Sequence, residues 1–289
     1  MRELAGKVAV ITGAGSGFGL EFARAAVRHR MKVVLGDVQE DALEAAVREM
    51  RAAGAEAVGE RIDVSKPEDL KRFADRALAS FGEVHLLFNN AGVAGGGGYL
   101  WESRLSDWQW LLGVNVMGVV NGIRAFVPLM IEQDCECHVV NTASAAGLVS
   151  APLMGVYNVS KHAVVTLSET LFHDLRVARS RIGVSVLCPA FVPTGISDSE
   201  RNRPADLVES APPTESQAMA RKQSEKAVSS GKLTAAQVAQ QTFQAVLEDR
   251  FYVITHPKML RSVELRLQDI VQQRAPTDPY TYKPDVKPG

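Results

Sequence analysis

The sequence predicts an α/β protein built on one doubly wound parallel sheet, with helices on both faces. Three observations carry this. Short apolar runs alternate with longer helical patterns along the chain. The runs are apolar on both sides, as strands covered on both faces must be. A glycine-rich turn follows the first run and opens the first helical stretch. Such alternation argues for a single sheet whose crossovers are helices.

The first strand is Val8–Thr12, followed by a helix over Gly17–Arg30. Lys32–Asp37 is the second strand, and Asp41–Ala53 the helix behind it. Ala57–Ile62 is the third strand. Ser65 before Lys66-Pro67-Glu68 then starts a helix to Phe81, because proline is tolerated in a first helical turn. Val84–Asn89 is the fourth strand, with a long helix over Ser106–Glu132. His138–Ala143 is the fifth, with a helix over Val156–Arg179, and Gly183–Cys188 the sixth. A weak seventh strand, Phe251–Thr255, follows a helix from about Thr234 to Asp249. Residues 195–231 are polar, carry Pro204, Pro212 and Pro213, and read as a lid or surface insertion within one catalytic domain of residues 1–275. Residues 276–289 hold Pro279, Pro284 and Pro288 and read as a loose tail.

Composition narrows the function classes. The chain has 289 residues, 46% apolar and 22% charged, which is globular rather than disordered. Lys plus Arg is 32 and Asp plus Glu is 33, so no basic excess draws in nucleic acid or an anionic membrane surface. Three cysteines cannot form a disulfide framework and suit a reducing compartment. The first apolar run, Val8–Ile11, is too short for a signal peptide, and no uninterrupted apolar run approaches the ~18 residues of a membrane span. A cytoplasmic protein is expected.

Thr12-Gly13-Ala14-Gly15-Ser16-Gly17-Phe18-Gly19 joins the first strand to its helix. Glycines there let the backbone turn sharply and approach a pyrophosphate seated on helix N–H groups. The strict G-x-G-x-x-G string is absent. Gly13-x-x-x-Gly17-x-Gly19 is a longer-spaced relative, and on this string alone a turn without a ligand stays open. Asp37 closes the second strand, where a carboxylate can accept from both hydroxyls of an adenosine ribose and repel a 2′-phosphate. A merely solvated strand-end acid is the bland alternative. Asp63 and Val64, ending the third strand, are candidates for the adenine edge. The context of strand, glycine loop, helix, strand and acid makes the sheet Rossmann-like.

The chemistry-bearing residues lie later. The fourth strand ends in Asn89-Asn90-Ala91-Gly92, the fifth in Asn141-Thr142-Ala143-Ser144. Tyr157 follows Ser144 by thirteen residues, and Lys161 follows Tyr157 by four, on the same helical face. An ammonium beside a phenol favours the phenolate, so the Tyr157 pKa is expected to fall from ~10. That would make it a general acid/base near neutral pH.

Taken together, these motifs resemble the short-chain dehydrogenase/reductase family over about residues 5–255. The resemblance implies strand order 3-2-1-4-5-6-7 and a Ser144-Tyr157-Lys161 triad with Asn115. Tyr157 would exchange a proton with the substrate oxygen, and Ser144 would hydrogen-bond that oxygen. Lys161 would bind the nicotinamide ribose, and Asn115 would hold a relay water. Gly13, Ser16, Gly17, Phe18, Gly19, Asp37, Asp63, Val64, Asn90, Ala91 and Gly92 would contact the dinucleotide, with Tyr157 and Lys161. Pro189, Val192 and Thr194 would seat its carboxamide. Ala190 stands where the family has glycine, and its Cβ disfavours a positive φ. The implied substrate pocket takes Ala145, Leu148, Leu153, Met154 and Phe191 beside Ser144 and Tyr157, an apolar lining for a small-molecule secondary alcohol or ketone. The tail, with Asn202-Arg203-Pro204, resembles a bacterial subgroup of aryl-ether Cα-dehydrogenases and ketoreductases for bulky ketones.

NAD is favoured by Asp37, and no cation stands at Ser16 or Val38. NADP stays open through a rotated Asp37 or an inward-folding Arg61. The resemblance also implies a homotetramer, or at least a homodimer, paired through the two long helices. Two other readings remain: a methyltransferase on a similar sheet, and a dinucleotide sensor without catalysis. Neither needs Ser144, Tyr157 and Lys161 together. Cys135-Glu136-Cys137-His138 has no second ligand pair and is read as no metal site.

Overall fold

The structure is a computed structural model that describes residues 1–280. Seven strands form one parallel sheet in the order β3-β2-β1-β4-β5-β6-β7, as the family resemblance implied. The strands are β1 (Val8–Thr12), β2 (Lys32–Asp37), β3 (Ala57–Arg61), β4 (Leu86–Asn89), β5 (Cys137–Thr142), β6 (Ile182–Cys188) and β7 (Tyr252–Ile254). The central β1, β4 and β5 are buried along their whole length. Hence these runs carry no polar alternation.

Side-chain alternation splits each strand between two cores. Ala9 and Ile11 of β1 face one side, with Phe22 from α1 (Gly17–Arg28), Leu43 from α2 (Glu40–Ala52) and Phe243 from α8 (Ala235–Leu247). Phe22 stacks on Phe88 at 4.5 Å, and Phe88 meets Phe243 at 5.5 Å. Val8 and Val10 face the other side. There they join Phe73 from α3 (Pro67–Phe81), Phe126 from α5 (Gly118–Glu132) and Leu171 from α6 (Gly155–Val177). Burying each phenylalanine stabilises the fold by about 1.5–3 kcal/mol, so the two faces are separately anchored.

Three regions depart from expectation. The helix expected over Ser106–Glu132 is α4 (Leu105–Leu112), a π-helical turn at Gly113–Met117, and then α5. The π turn faces Asn115 inward. Among the described residues, Leu105–Glu132 is also the one helix long and apolar enough to cross a bilayer, with mean hydropathy 1.6 in its most apolar window. Its partners here are protein: α4 packs on α6, and α5 on α3. The insertion 195–231 is not a loop. It holds short 3-10 turns and the helix α7 (Glu215–Ser229). Thr214 caps α7 by accepting from Gln217 N–H, while the Gln217 side chain accepts from Thr214 N–H. The C-terminal helix α9 (Leu260–Val271) is followed by a strap, residues 274–280, that returns along it. The rest of the expected loose tail, 281–289, lies outside the described residues.

Candidate active site

The strand ends converge on the glycine loop. Gly13 (φ 65°) and Gly17 (φ 53°) adopt left-handed backbone that side chains resist. A Cβ on Gly13 would sit 2.8 Å from the Ala91 Cα. Gly19 faces the Gly13 carbonyl, where any Cβ would collide. Thr12 then ties β1 to the end of β4: its hydroxyl accepts from Asn90 N–H (2.9 Å) and Ala91 N–H (3.1 Å) and donates to the Phe88 carbonyl (3.2 Å). Asp37 accepts from Gly15 N–H at 2.8 Å and Gln39 N–H at 2.9 Å. Its carboxylate is thereby fixed beside the loop. Asp63 accepts from Ser65 N–H and Oγ, which orders the end of β3.

At the other end, Ser144 follows β5. Its Oγ accepts from Ala146 N–H (3.1 Å) and donates to the Pro189 carbonyl (3.4 Å). Tyr157 lies in the first turn of α6, and Lys161 one turn on. The Lys161 ammonium is buried, donates to the Thr142 carbonyl at 3.0 Å and lies 5.7 Å from the Tyr157 ring centre. Burial lowers its pKa to about 8.

The expected fall of the Tyr157 pKa is not what the structure gives. Burial raises it, and the Ser144 hydroxyl offsets only part of that rise. The Lys161 ammonium reaches toward Thr142, so desolvation of the phenolate prevails over its attraction. Asn115 is buried and its amide is fully engaged: Oδ1 accepts from Val93 N–H (2.8 Å), and Nδ2 donates to the Val93 carbonyl (3.0 Å) and to Ser160 Oγ (3.1 Å). It braces the loop after β4 against α6. Gly92 fits between it and Lys161, with a Cβ there 3.3 Å from Asn115 Oδ1 and 3.4 Å from the Lys161 Nζ.

One cleft of about 1000 Å³ joins these groups. It runs from Gly13, Ser16, Gly17, Phe18 and Asp37 past Asp63 and Val64, then Asn90, Ala91 and Gly92, to Ser144, Tyr157 and Lys161. Pro189, Val192 and Thr194 line its roof, and Met154 and Phe191 its outer end, with Ala145 and Leu153. Of the expected residues, Gly19, Asn115 and Leu148 do not line it; the first two stand directly behind its wall. Ala190 takes an ordinary negative φ, so its Cβ imposes no strain on this roof.

The sequence did not reveal a latch above the cleft. Arg203, from the insertion, forms a buried pair with Asp107 of α4 at 2.5 Å and also holds Glu200 at 2.7 Å. Its guanidinium lies 4.3 Å from the Trp110 ring centre. Arg104 pairs with Glu209 at 3.6 Å. Asp107 and Arg203 are 96 residues apart, and no local pattern links them.

Comparison with known proteins closes the question of family. The family model for short chain dehydrogenases matches residues 7–205. The chain belongs to this family. A short-chain dehydrogenase/reductase from Burkholderia phymatum, solved in complex with NAD, is 59% identical, with a TM-score of 0.95 over 96% of this chain and 99% of that one. The CLA biosynthesis dehydrogenase/reductase of Lactiplantibacillus plantarum is 34% identical over 96% of this chain and 97% of its own. The C alpha-dehydrogenase of a Sphingobium strain is 31% identical over 96% and 90%.

As a short-chain dehydrogenase, the chain is an oxidoreductase that moves a hydride between a nicotinamide cofactor and a small-molecule alcohol or ketone. The methyltransferase alternative falls with this membership. The site fits the cofactor on its own terms: a glycine cradle with no room for side chains at Gly13 and Gly19, the N-terminus of α1, and a carboxylate fixed beside the loop.

Proposed function

We propose that the chain interconverts a secondary alcohol and an apolar or aryl ketone with NAD, through Tyr157 as the proton-exchanging acid/base. The observation that carries this is the convergence of Ser144, Tyr157 and Lys161 on the lining of one continuous cleft, with the buried Lys161 ammonium 5.7 Å from the Tyr157 ring centre. Both side chains border the space that a substrate oxygen would enter, and the Ser144 hydroxyl would turn from the Pro189 carbonyl to meet it. In reduction Tyr157 gives that oxygen a proton, and Ser144 holds it by a hydrogen bond; in oxidation Tyr157 takes the proton back. The bound nicotinamide supplies or accepts the hydride. Lys161 stands one turn behind Tyr157, placed to hold the nicotinamide ribose. Asn115 acts through position: its amide is spent on Val93 and Ser160, so a relay water there would be held by main-chain groups rather than by this side chain. Met154 and Phe191 bound the substrate end, and their apolar surface disfavours a charged sugar phosphate or a small hydroxy acid.

NAD is the proposed cofactor because Asp37 is held in place by two backbone N–H groups. A 2′-phosphate beside it would meet a like charge worth on the order of several kcal/mol at ~4 Å. Arg61, the register partner of Asp37 on β3, donates to the Val38 carbonyl at 3.3 Å. The NAD complex of the Burkholderia relative supports the same choice. The test is absorbance at the NADH band with a panel of aryl ketones, run with NADH and with NADPH. Turnover of aryl ketones with a higher kcat/KM for NADH is expected. No turnover of any ketone would overturn the reaction, and a higher kcat/KM for NADPH would overturn the cofactor choice.

A further inference from the structure

The C-terminal strap reaches the substrate end of the cleft. Asp269, near the end of α9 and buried, accepts from Thr277 N–H at 2.8 Å and pairs with Arg274 at 2.9 Å. That clamp turns the chain back along α9. Ser262 Oγ then donates to the Pro279 carbonyl at 3.4 Å, and Tyr280 N–H to Asp278 at 2.9 Å. Tyr280 is thereby laid over the cleft mouth, with its hydroxyl 3.7 Å from the Met154 sulfur. Met154 directly precedes α6, the helix that carries Tyr157.

Tyr280 also lines a side pocket of about 160 Å³ together with Phe191, Leu153 and two alanines of α7, Ala220 and Ala227. Among the described residues, no charged one lines this side pocket. The arginines of the main cleft already have partners: Arg203 with Asp107, Arg104 with Glu209, Arg221 with Glu225, and Arg201 with the Gly195 carbonyl. With these charges paired and the side pocket mostly apolar beside Gln223 and Ser224, an uncharged group with a large apolar surface is what this outer end holds at least cost.

We infer that Tyr280, held by the Asp269 clamp, is a specificity-determining wall of the substrate pocket, selecting ketones and alcohols with a second, uncharged apolar or aromatic group beyond the reacting carbon. This rests on the function proposed above and extends it to the far end of the substrate. A short ketone filling only the space by Tyr157 and Ser144 does not reach Tyr280. An extended one packs its distal group against the Tyr280 ring, Met154 and Phe191.

The experiment compares two ketones, acetophenone and an aryl ketone bearing a second ring, in the parent chain and in Tyr280→Ala, Tyr280→Phe and Asp269→Ala. Tyr280→Ala should raise KM for the extended ketone about tenfold, with acetophenone kcat and KM within about twofold of the parent. Tyr280→Phe keeps the ring and should rescue most of the loss. Asp269→Ala releases the strap and should reproduce the Tyr280→Ala pattern, with NADH KM unchanged. Equal losses on both ketones, or no loss on either while the parent is active, would overturn the wall. Tyr280→Ala alters a half-exposed side chain, so it reads the proposal even where Asp269→Ala fails to fold. A parent inactive on both ketones would instead overturn the reaction itself, and the wall with it.

Discussion

Burial acts in opposite senses on two residues one helical turn apart. It raises the Tyr157 phenol, which disfavours its anion, and lowers the Lys161 ammonium, which disfavours its cation. Both groups are pushed toward neutrality. A protonated phenol at neutral pH is ready to donate, so ketone reduction should hold steady through the neutral range. Alcohol oxidation should climb toward alkaline pH, as an initial-rate profile in each direction would show. Tyr157→Phe removes the exchangeable proton and should cost ~10²–10⁴ in kcat with NADH binding retained; near-full activity would refute the role. Lys161 carries a second consequence. Its pKa falls from 10.5 in the unfolded chain to about 8, so burying the cation costs about 3 kcal/mol below pH 8. Between pH 8 and 10.5 the unfolded state binds more protons, and stability rises with pH as that cost is relieved. Lys161→Met should therefore melt higher than the parent at pH 7 while losing turnover, with the gap closing above pH 8. Thermal melts across that range check it, and a lower melting temperature at pH 7 would contradict it. Sequence spacing placed these two residues on one face. It gave the wrong sign for the phenol, because burial and the Thr142 contact belong to the folded chain alone.

Elements whose chemistry is local were legible, and those that depend on distant partners were not. The glycine loop, the strand-end Asp37 and the proline start of α3 all act within a few residues, and each is found where the sequence placed it. The helix α7 escaped notice because its polar surface mimics a loop. Its one local signal was the Thr214-x-x-Gln217 capping box. The π turn at Gly113–Met117 has no signature in residue types, since it is set by Asn115 bonding across to Val93 and Ser160. The latch between the insertion and α4 is of the same kind. The Asp107 and Arg203 side chains are both buried, so removing the carboxylate leaves the guanidinium with Glu200 as its one carboxylate partner among the described residues. Breaking a buried pair typically costs ~3–5 kcal/mol, enough to free the insertion without unfolding the sheet. Asp107→Ala should therefore expose the chain near Arg201 and Arg203 to trypsin and raise KM for ketone about tenfold, with NADH KM little changed. Unaltered trypsin resistance would show that the latch does not hold the insertion.

At the scale of the whole molecule, apolar surface is left over after the sheet is covered. Only 44% of the most apolar window in Leu105–Glu132 is buried. Leu105, Met117 and Ile131 along it are exposed, as is Val159 on the neighbouring α6. A second exposed row lies on α9, where Leu260, Leu267 and Val271 recur at helical spacing with Ile270 beside them. Two separate apolar faces are what a dihedral tetramer needs, one for each kind of twofold contact. A single such face would stop at a dimer. A stable contact buries about 1,200–2,000 Å² in total, which a pair of long helices packed against their symmetry copies can supply. We therefore expect a tetramer near four times 31.2 kDa by sedimentation equilibrium. Because the faces are independent, charges placed on one should dissect the assembly. Val271→Asp with Ile270→Asp should leave a dimer held by the long helices, and adding Val159→Asp should release monomers. A parent that sediments only at 31.2 kDa at micromolar concentration would rule out both contacts, and monomers from the α9 substitutions alone would show that the long helices do not pair.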